Sequence, residues 1–161
     1  MKQLFFLVAF ATLSSLVTAQ STDEAAIGNV LNGLRADFDK RDFNAFASAF
    51  VQTPELLYQI TPKEGPVGLI YAQGFDNMSK MVGGYMKSLS PSKNPKHTVL
   101  NSKIHLNGNS AYVANGLVDE DNGVRSYSRD FIMLEKNSSN IWKIVSFIGV
   151  DCDESKTVEV K

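Results

Sequence analysis

Arg129 is the residue of this sequence best suited to hold a ligand. In an extended segment, alternate side chains point to the same side, so Arg129 would share a face with Phe131 and Met133. An arginine among apolar side chains needs a partner, because an unpaired buried charge costs several kcal/mol. A ligand carboxylate would satisfy it with paired hydrogen bonds. A structural ion pair with an acidic residue, or exposure on the sheet surface, would satisfy it equally well.

Four hydroxyl groups complete the predicted ligand-binding set. They belong to Tyr58, Tyr85, Tyr127 and Ser146. A tyrosine hydroxyl can donate a hydrogen bond to an oxygen that gains negative charge during a reaction. The alternative is an aromatic core residue whose hydroxyl lies at the edge of the core. Ser146 could bind a ligand or simply fill space.

The sequence contains few residues that could transfer protons or bind a metal. His97 and His105 have the same parity in one segment, opposite to Leu100, and both are expected to be exposed. Asp130 falls on the opposite face from Arg129 and is expected to be solvated or paired on the sheet surface. The sequence therefore singles out no catalytic residue, and it leaves open whether the protein is an enzyme. With a single cysteine and no Cys/His cluster, we predict no metal and no cofactor.

Hydrophobic periodicity predicts helices first and strands after them. Apolar residues from Ile27 to Phe38 recur at helical spacing, Asp42 can cap a second short helix, and a third helix opens at Gly74. Two short strands are expected at 56–60 and 67–72. Four longer strands, joined by turns rich in Asn and Gly, are expected at 96–106, 110–119, 124–136 and 140–150. This order indicates an α+β domain whose curved antiparallel sheet leaves a hollow against the helices.

The N-terminus resembles a secretory signal peptide. A basic start precedes an apolar stretch and a Val17-Thr-Ala19 cleavage pattern, so we expect residues 1–19 to be removed. The domain would then span 20–152, followed by a charged tail at 153–161, and the protein would be periplasmic or secreted. Removing Lys2 leaves 15 basic and 17 acidic residues, a net charge of −2. This charge argues against a nucleic-acid partner.

Several segments, in their order along the chain, resemble the nuclear transport factor 2-like superfamily in its polyketide-cyclase-like (SnoaL-like) branch. They are Arg41-Asp-Phe-Asn-Ala-Phe46, Gly74-Phe-Asp76, Arg129-Asp-Phe-Ile-Met-Leu-Glu-Lys136 and Trp142-Lys-Ile-Val145. The resemblance implies a cone-shaped curved antiparallel β-sheet packed on three N-terminal helices. It also implies a pocket between them, an arginine facing that pocket at Arg129, and homodimers formed through the sheet. Related proteins often carry histidine two and four residues after the isoleucine of the Trp-x-Ile motif, where this chain has Ser146 and Ile148.

These observations support three hypotheses about function. The first is an exported domain that binds a small, largely apolar ligand in the pocket, with Arg129 available for an anionic group. The second is a lyase, isomerase or cyclase that uses an acid–base pair in the pocket, which needs a carboxylate or histidine facing the pocket beside a hydrogen-bond donor. A buried acid with a raised pKa next to Tyr58 or Tyr85 would favour it. The third is a non-catalytic dimerisation or structural module whose pocket is filled by its own side chains. Fold alone does not decide among them.

Overall fold

The computed structural model describes residues 22–62, 68–121 and 123–152. The predicted signal peptide at 1–19 and the charged tail at 153–161 lie outside the described residues. Within them, no helix combines the length and the apolar character needed to span a membrane.

In the described part of the chain, three helices precede most of the sheet, as the periodicity predicts. Helix α1 covers 22–40, α2 covers Phe43–Ser48 and α3 covers Phe75–Ser88. The carboxylate of Asp42 accepts a hydrogen bond from the backbone N–H of Ala45, 3.1 Å away, and so caps α2. These helices bury their apolar faces against the inner side of the sheet.

The sheet has six strands in the order β2-β1-β6-β5-β4-β3, and it is curved and not closed. The strands are β1 (Leu57–Thr61), β2 (Ile70–Gln73), β3 (Lys96–Asn107), β4 (Ser110–Asp121), β5 (Val124–Lys136) and β6 (Trp142–Cys152). All neighbours are antiparallel except β1 and β6, which run parallel. The predicted α+β fold is therefore confirmed, with one parallel pair that the sequence analysis did not anticipate.

Two β-bulges interrupt the long strands. In β6, Ile144 pairs with Leu134 and Ser146 with Met133, so Val145 is an extra residue. In β3, an extra residue lies between Leu100 and Lys103, where Asn101 has a φ of 50°. A bulge bends a strand and reverses which side chains face inward beyond it. Both bulges therefore decide which residues reach the inner face of the sheet.

Candidate functional site

A pocket of about 330 Å³ opens between α1 and the inner face of the sheet. Its walls are mainly apolar, and they come from all three helices and from β1, β3, β4, β5 and β6. Its polar lining consists of Arg35, Asp39, Tyr58, Tyr85, His97, Asp119, Ser128, Asp130 and Asp151. An apolar pocket with a few converging polar groups is the usual form of a small-molecule site.

Asp130 is the most unusual of these groups. It lies on β5 with only 5% of its surface exposed, and no Lys, Arg or His among the described residues lies within ion-pairing distance. Ser128 Oγ lies 3.5 Å from Asp130 Oδ1. Burial raises the pKa of Asp130 to about 6, although the charge of Arg35 acts in the opposite direction. A carboxyl group with such a pKa can take up and release a proton near neutral pH.

Gly149 keeps the space beside Asp130 open. It pairs with Asp130 across β5 and β6, and it also lines the pocket. A side-chain Cβ at this position would lie 3.5 Å from Asp130 Oδ1 and 3.2 Å from a ring carbon of Phe147. Because glycine has no side chain, the Asp130 carboxyl group remains accessible from the pocket.

Tyr58 supplies a hydroxyl group in the same pocket. It lies on β1 with 6% of its surface exposed, and its ring stacks on Phe147 with centroids 5.2 Å apart. Burial, reinforced by the negative charge of Asp130, raises the pKa of Tyr58. The hydroxyl therefore stays protonated and can donate a hydrogen bond to a ligand. Asp130 is thus a buried acid in the same pocket as Tyr58, the combination that favours the enzyme hypothesis.

His97 joins a helix to the sheet at the pocket wall. Its Nε2 lies 2.7 Å from Asp39 Oδ2 on α1, and its Nδ1 lies 2.7 Å from Asp119 Oδ1 on β4. Burial tends to lower the pKa of His97, but the hydrogen bonds and charges of Asp119 and Asp39 outweigh it and raise the pKa. Because both ring nitrogens are hydrogen-bonded, His97 connects α1 and β4 to its own strand, β3. Neither ring nitrogen of His97 is therefore free to donate a proton to a ligand.

The electrostatic balance of the pocket is negative. Four carboxyl groups line it, from Asp39, Asp119, Asp130 and Asp151, against the guanidinium group of Arg35 and the ring of His97. Burial lowers the pKa of Arg35, and the charges of Asp130 and Asp119 act against that change. An anionic ligand would therefore meet net repulsion.

The structure brings together only part of the predicted ligand-binding set. Tyr58 and Tyr85 line the pocket, Tyr85 with 57% of its surface exposed. Tyr127, Arg129 and Ser146 instead lie on the outer face of the sheet and do not line the pocket. The expectation that Arg129 faces the pocket is thus corrected, and so is the expectation that Asp130 lies on the solvated surface.

On the outer face, Arg129 packs over the backbone of a neighbouring strand. It pairs with Gly116, where an added Cβ would lie 3.1 Å from Arg129 Nη1. Its guanidinium carbon lies 5.7 Å from the ring centroid of Tyr127. A cation over an aromatic face is favourable. These contacts position Arg129 without a ligand.

Two local features explain why Asp130 and His97 were not expected in the pocket. Both faces of β5 are apolar near its end, since Phe131 and Met133 alternate with Ile132 and Leu134, so alternation alone does not tell which face is inner. The bulge in β3 places His97 on the inner face while His105 stacks on Tyr112 outside. The Asn101-Ser102 pair within an otherwise regular strand is the local signal that could have indicated that bulge.

No protein-family model and no curated protein matches this sequence. Solved structures do match. A candidate scytalone dehydratase from Novosphingobium aromaticivorans has 15% identity and a TM-score of 0.69, covering 89% of this chain and 94% of its own. A nuclear transport factor 2-like protein with a cystatin-like fold from the same organism has 16% identity and a TM-score of 0.68, covering 88% and 90%.

A third match is a ketosteroid isomerase-like protein from Erwinia carotovora atroseptica, with 12% identity and a TM-score of 0.57. It covers 80% of this chain and 95% of its own. At these identities the likeness concerns the fold. The resemblance stated from the sequence is confirmed at that level: the chain has the cystatin-like fold of nuclear transport factor 2-like proteins.

Proposed function

We propose that the pocket binds a small, largely apolar, uncharged molecule and moves a proton on it, as an isomerase or lyase does. The observation that carries this proposal is Asp130, an acid that is 5% exposed and has no ion-pair partner among the described residues. Keeping a carboxyl group in such surroundings opposes its ionisation, which is unfavourable for stability but useful to a general base.

The division of roles follows from the chemistry of the two groups. Ionised Asp130 would take a proton from a carbon atom next to a carbonyl group. Tyr58, which stays protonated, would donate a hydrogen bond to the carbonyl oxygen as that oxygen gains negative charge. Returning the proton from Asp130 to a different carbon completes an isomerisation. Delivering it instead to a hydroxyl group on the neighbouring carbon, whose C–O bond breaks to release water, completes an elimination.

Two further observations support this reading over pure ligand storage. Two of the similar structures are described as a candidate scytalone dehydratase and a ketosteroid isomerase-like protein, so their names refer to a dehydratase and an isomerase. The pocket also remains open, at about 330 Å³, which does not favour a module whose pocket is filled. The sequence of residues 1–19 supports export of the protein, and we propose that the activity lies outside the cytoplasm.

The test uses 3-cyclohexenone, whose conversion to the conjugated 2-cyclohexenone requires one proton to move between two carbons. The reaction is followed by ultraviolet absorbance. We expect the wild-type protein to exceed the buffer rate, and Asp130→Asn to lose about 10²–10⁴-fold, the usual contribution of a general base. Tyr58→Phe should also be slower. His105→Gln is the matched control, because His105 lies outside the pocket. A wild-type rate in Asp130→Asn would refute the proposal.

A further inference from the structure

Asn115 is buried in a way that its neighbours do not explain. It lies on β4 with 3% of its surface exposed, and neither Nδ2 nor Oδ1 of its side chain has a hydrogen-bond partner among the described residues. Leaving a buried polar group unpaired costs about 1–3 kcal/mol. Leucine has a similar volume and would avoid that cost. The amide group is therefore expected to have a partner that arrives from outside the chain.

The position of Asn115 indicates where that partner binds. Asn115 pairs directly with Asp130 across β4 and β5. Residues that face each other in this way have Cβ atoms about 4.5–5.5 Å apart. Leu117, the next inward residue on β4, and Ile132, the next on β5, both line the pocket. Asn115 is not itself a lining residue, but on the inner face of the sheet it lies between Leu117 on its own strand and Asp130 on the next, and both of these line the pocket.

We propose that Asn115 and Asp130 form a polar subsite that binds the hydroxyl or carbonyl oxygen of an uncharged substrate. The proposal rests on the proposed function and adds the residue that selects the substrate. An amide side chain offers two donors and one acceptor, and a carboxylate accepts. A substrate hydroxyl can donate to Asp130 and accept from Asn115 Nδ2, while a carbonyl oxygen accepts from Nδ2 alone.

The surrounding charges specify the rest of the substrate. A carboxylate in this position would lie next to Asp130, with Asp119 and Asp151 in the same pocket. Repulsion of like charges excludes it. The apolar wall formed by Leu117, Ile132 and Phe147 suits a hydrocarbon ring or chain. The predicted class is therefore a small apolar body with one hydroxyl or carbonyl group and no negative charge.

The test compares two probes of the same shape, 4-methylphenol and toluene, with 4-methylbenzoate as the anionic counterpart. Binding to the full mature chain is measured by saturation-transfer NMR titration. We expect 4-methylphenol to bind at least tenfold more tightly than toluene, and 4-methylbenzoate to bind more weakly than either. Preference for toluene over 4-methylphenol, or tightest binding of 4-methylbenzoate, would overturn the proposal.

The decisive variant is Asn115→Leu. We expect its preference for 4-methylphenol over toluene to fall by about 3–10-fold, because the bond from Nδ2 is lost while Asp130 still accepts from the phenol hydroxyl. Its unfolding temperature should stay the same or rise, because an unpaired buried amide group has been removed. Asn107→Leu, a change of an exposed asparagine at the end of β3, is the matched control and should keep the preference. Asn115→Ala supplies the same ratio if the leucine variant does not fold.

An unchanged preference in the folded Asn115 variants would overturn the subsite. This result is separate from the isomerisation test. Probe selectivity that depends on Asn115, together with no turnover of 3-cyclohexenone, would refute the catalytic proposal and keep the subsite. If turnover depends on Asp130 but probe selectivity does not depend on Asn115, the subsite is refuted and the catalytic proposal is kept.

Discussion

At the scale of single residues, the burial of Asp130 lowers the stability of the protein but suits the residue to proton transfer. Burial raises its pKa from 3.8 to about 6, so the folded protein holds its proton more tightly than the unfolded chain does. The free energy of unfolding therefore falls as pH rises from about 4 to about 6, and it stays reduced above that range. The full difference is about 3 kcal/mol, since each pKa unit corresponds to about 1.4 kcal/mol.

This conflict predicts the behaviour of Asp130→Asn, which retains the shape of the side chain without its charge. The variant should be more stable than wild type by about 2–3 kcal/mol at pH 8. The gain should shrink toward pH 4, where the side chain at position 130 is uncharged in both folded proteins. Urea unfolding of both proteins at several pH values measures the difference, in which contributions from other groups cancel. A difference that does not vary between pH 4 and pH 8 would show that the pKa of Asp130 is not raised.

At the scale of elements, the sequence predicts the strands more reliably than the faces they present. All four long strands, the short ones and the helices occur close to their expected positions. The extra residue Val145 in β6, however, moves Ser146 to the outer face opposite Met133 and brings Phe147 and Gly149 inward. A regular alternation rule has no means of locating such a bulge. The elements were therefore predictable, while three of the five expected ligand-binding residues were placed on the wrong face.

Trp142, the first residue of β6, connects that strand to α1. It is 3% exposed, and its Nε1 donates to Asp23 Oδ1 on α1 over 3.1 Å. Lys136 Nζ lies 2.8 Å from the same oxygen. Trp142→Ala should lower the free energy of unfolding by about 3–5 kcal/mol, as truncation of a large core side chain does. Urea unfolding measures the loss.

A comparison variant separates packing from hydrogen bonding at this position. Trp142→Phe keeps most of the ring contacts but removes the indole N–H, so it should cost clearly less than Trp142→Ala. A loss below about 1 kcal/mol in Trp142→Ala would show that the residue does not belong to the core. Equal losses in both variants would mean that the bond to Asp23 matters more than packing.

At the scale of the whole molecule, the outer face of the sheet carries a group of adjacent exposed apolar side chains. Tyr112, Phe131 and Met133 are adjacent across β4 and β5, and they are exposed at 50%, 55% and 54%. Contiguous exposed apolar side chains mark interaction sites. The same side chains made this face of β5 look like the core in the sequence, which explains why Arg129 was expected in the pocket.

We propose that a second copy of the chain covers this patch. A two-fold dimer places the same surface on both partners, so an apolar patch at the middle of the sheet is complementary to itself. Phe131→Lys combined with Met133→Lys would put like charges against each other and should yield a monomer, while the wild type runs as a dimer. Val124→Lys is the control, since Val124 is an equally apolar, 70% exposed residue of β5 that lies outside the patch. Native mass spectrometry distinguishes the two states. A monomeric wild type would refute the dimer, and a dimer that survives the double substitution would place the contact elsewhere.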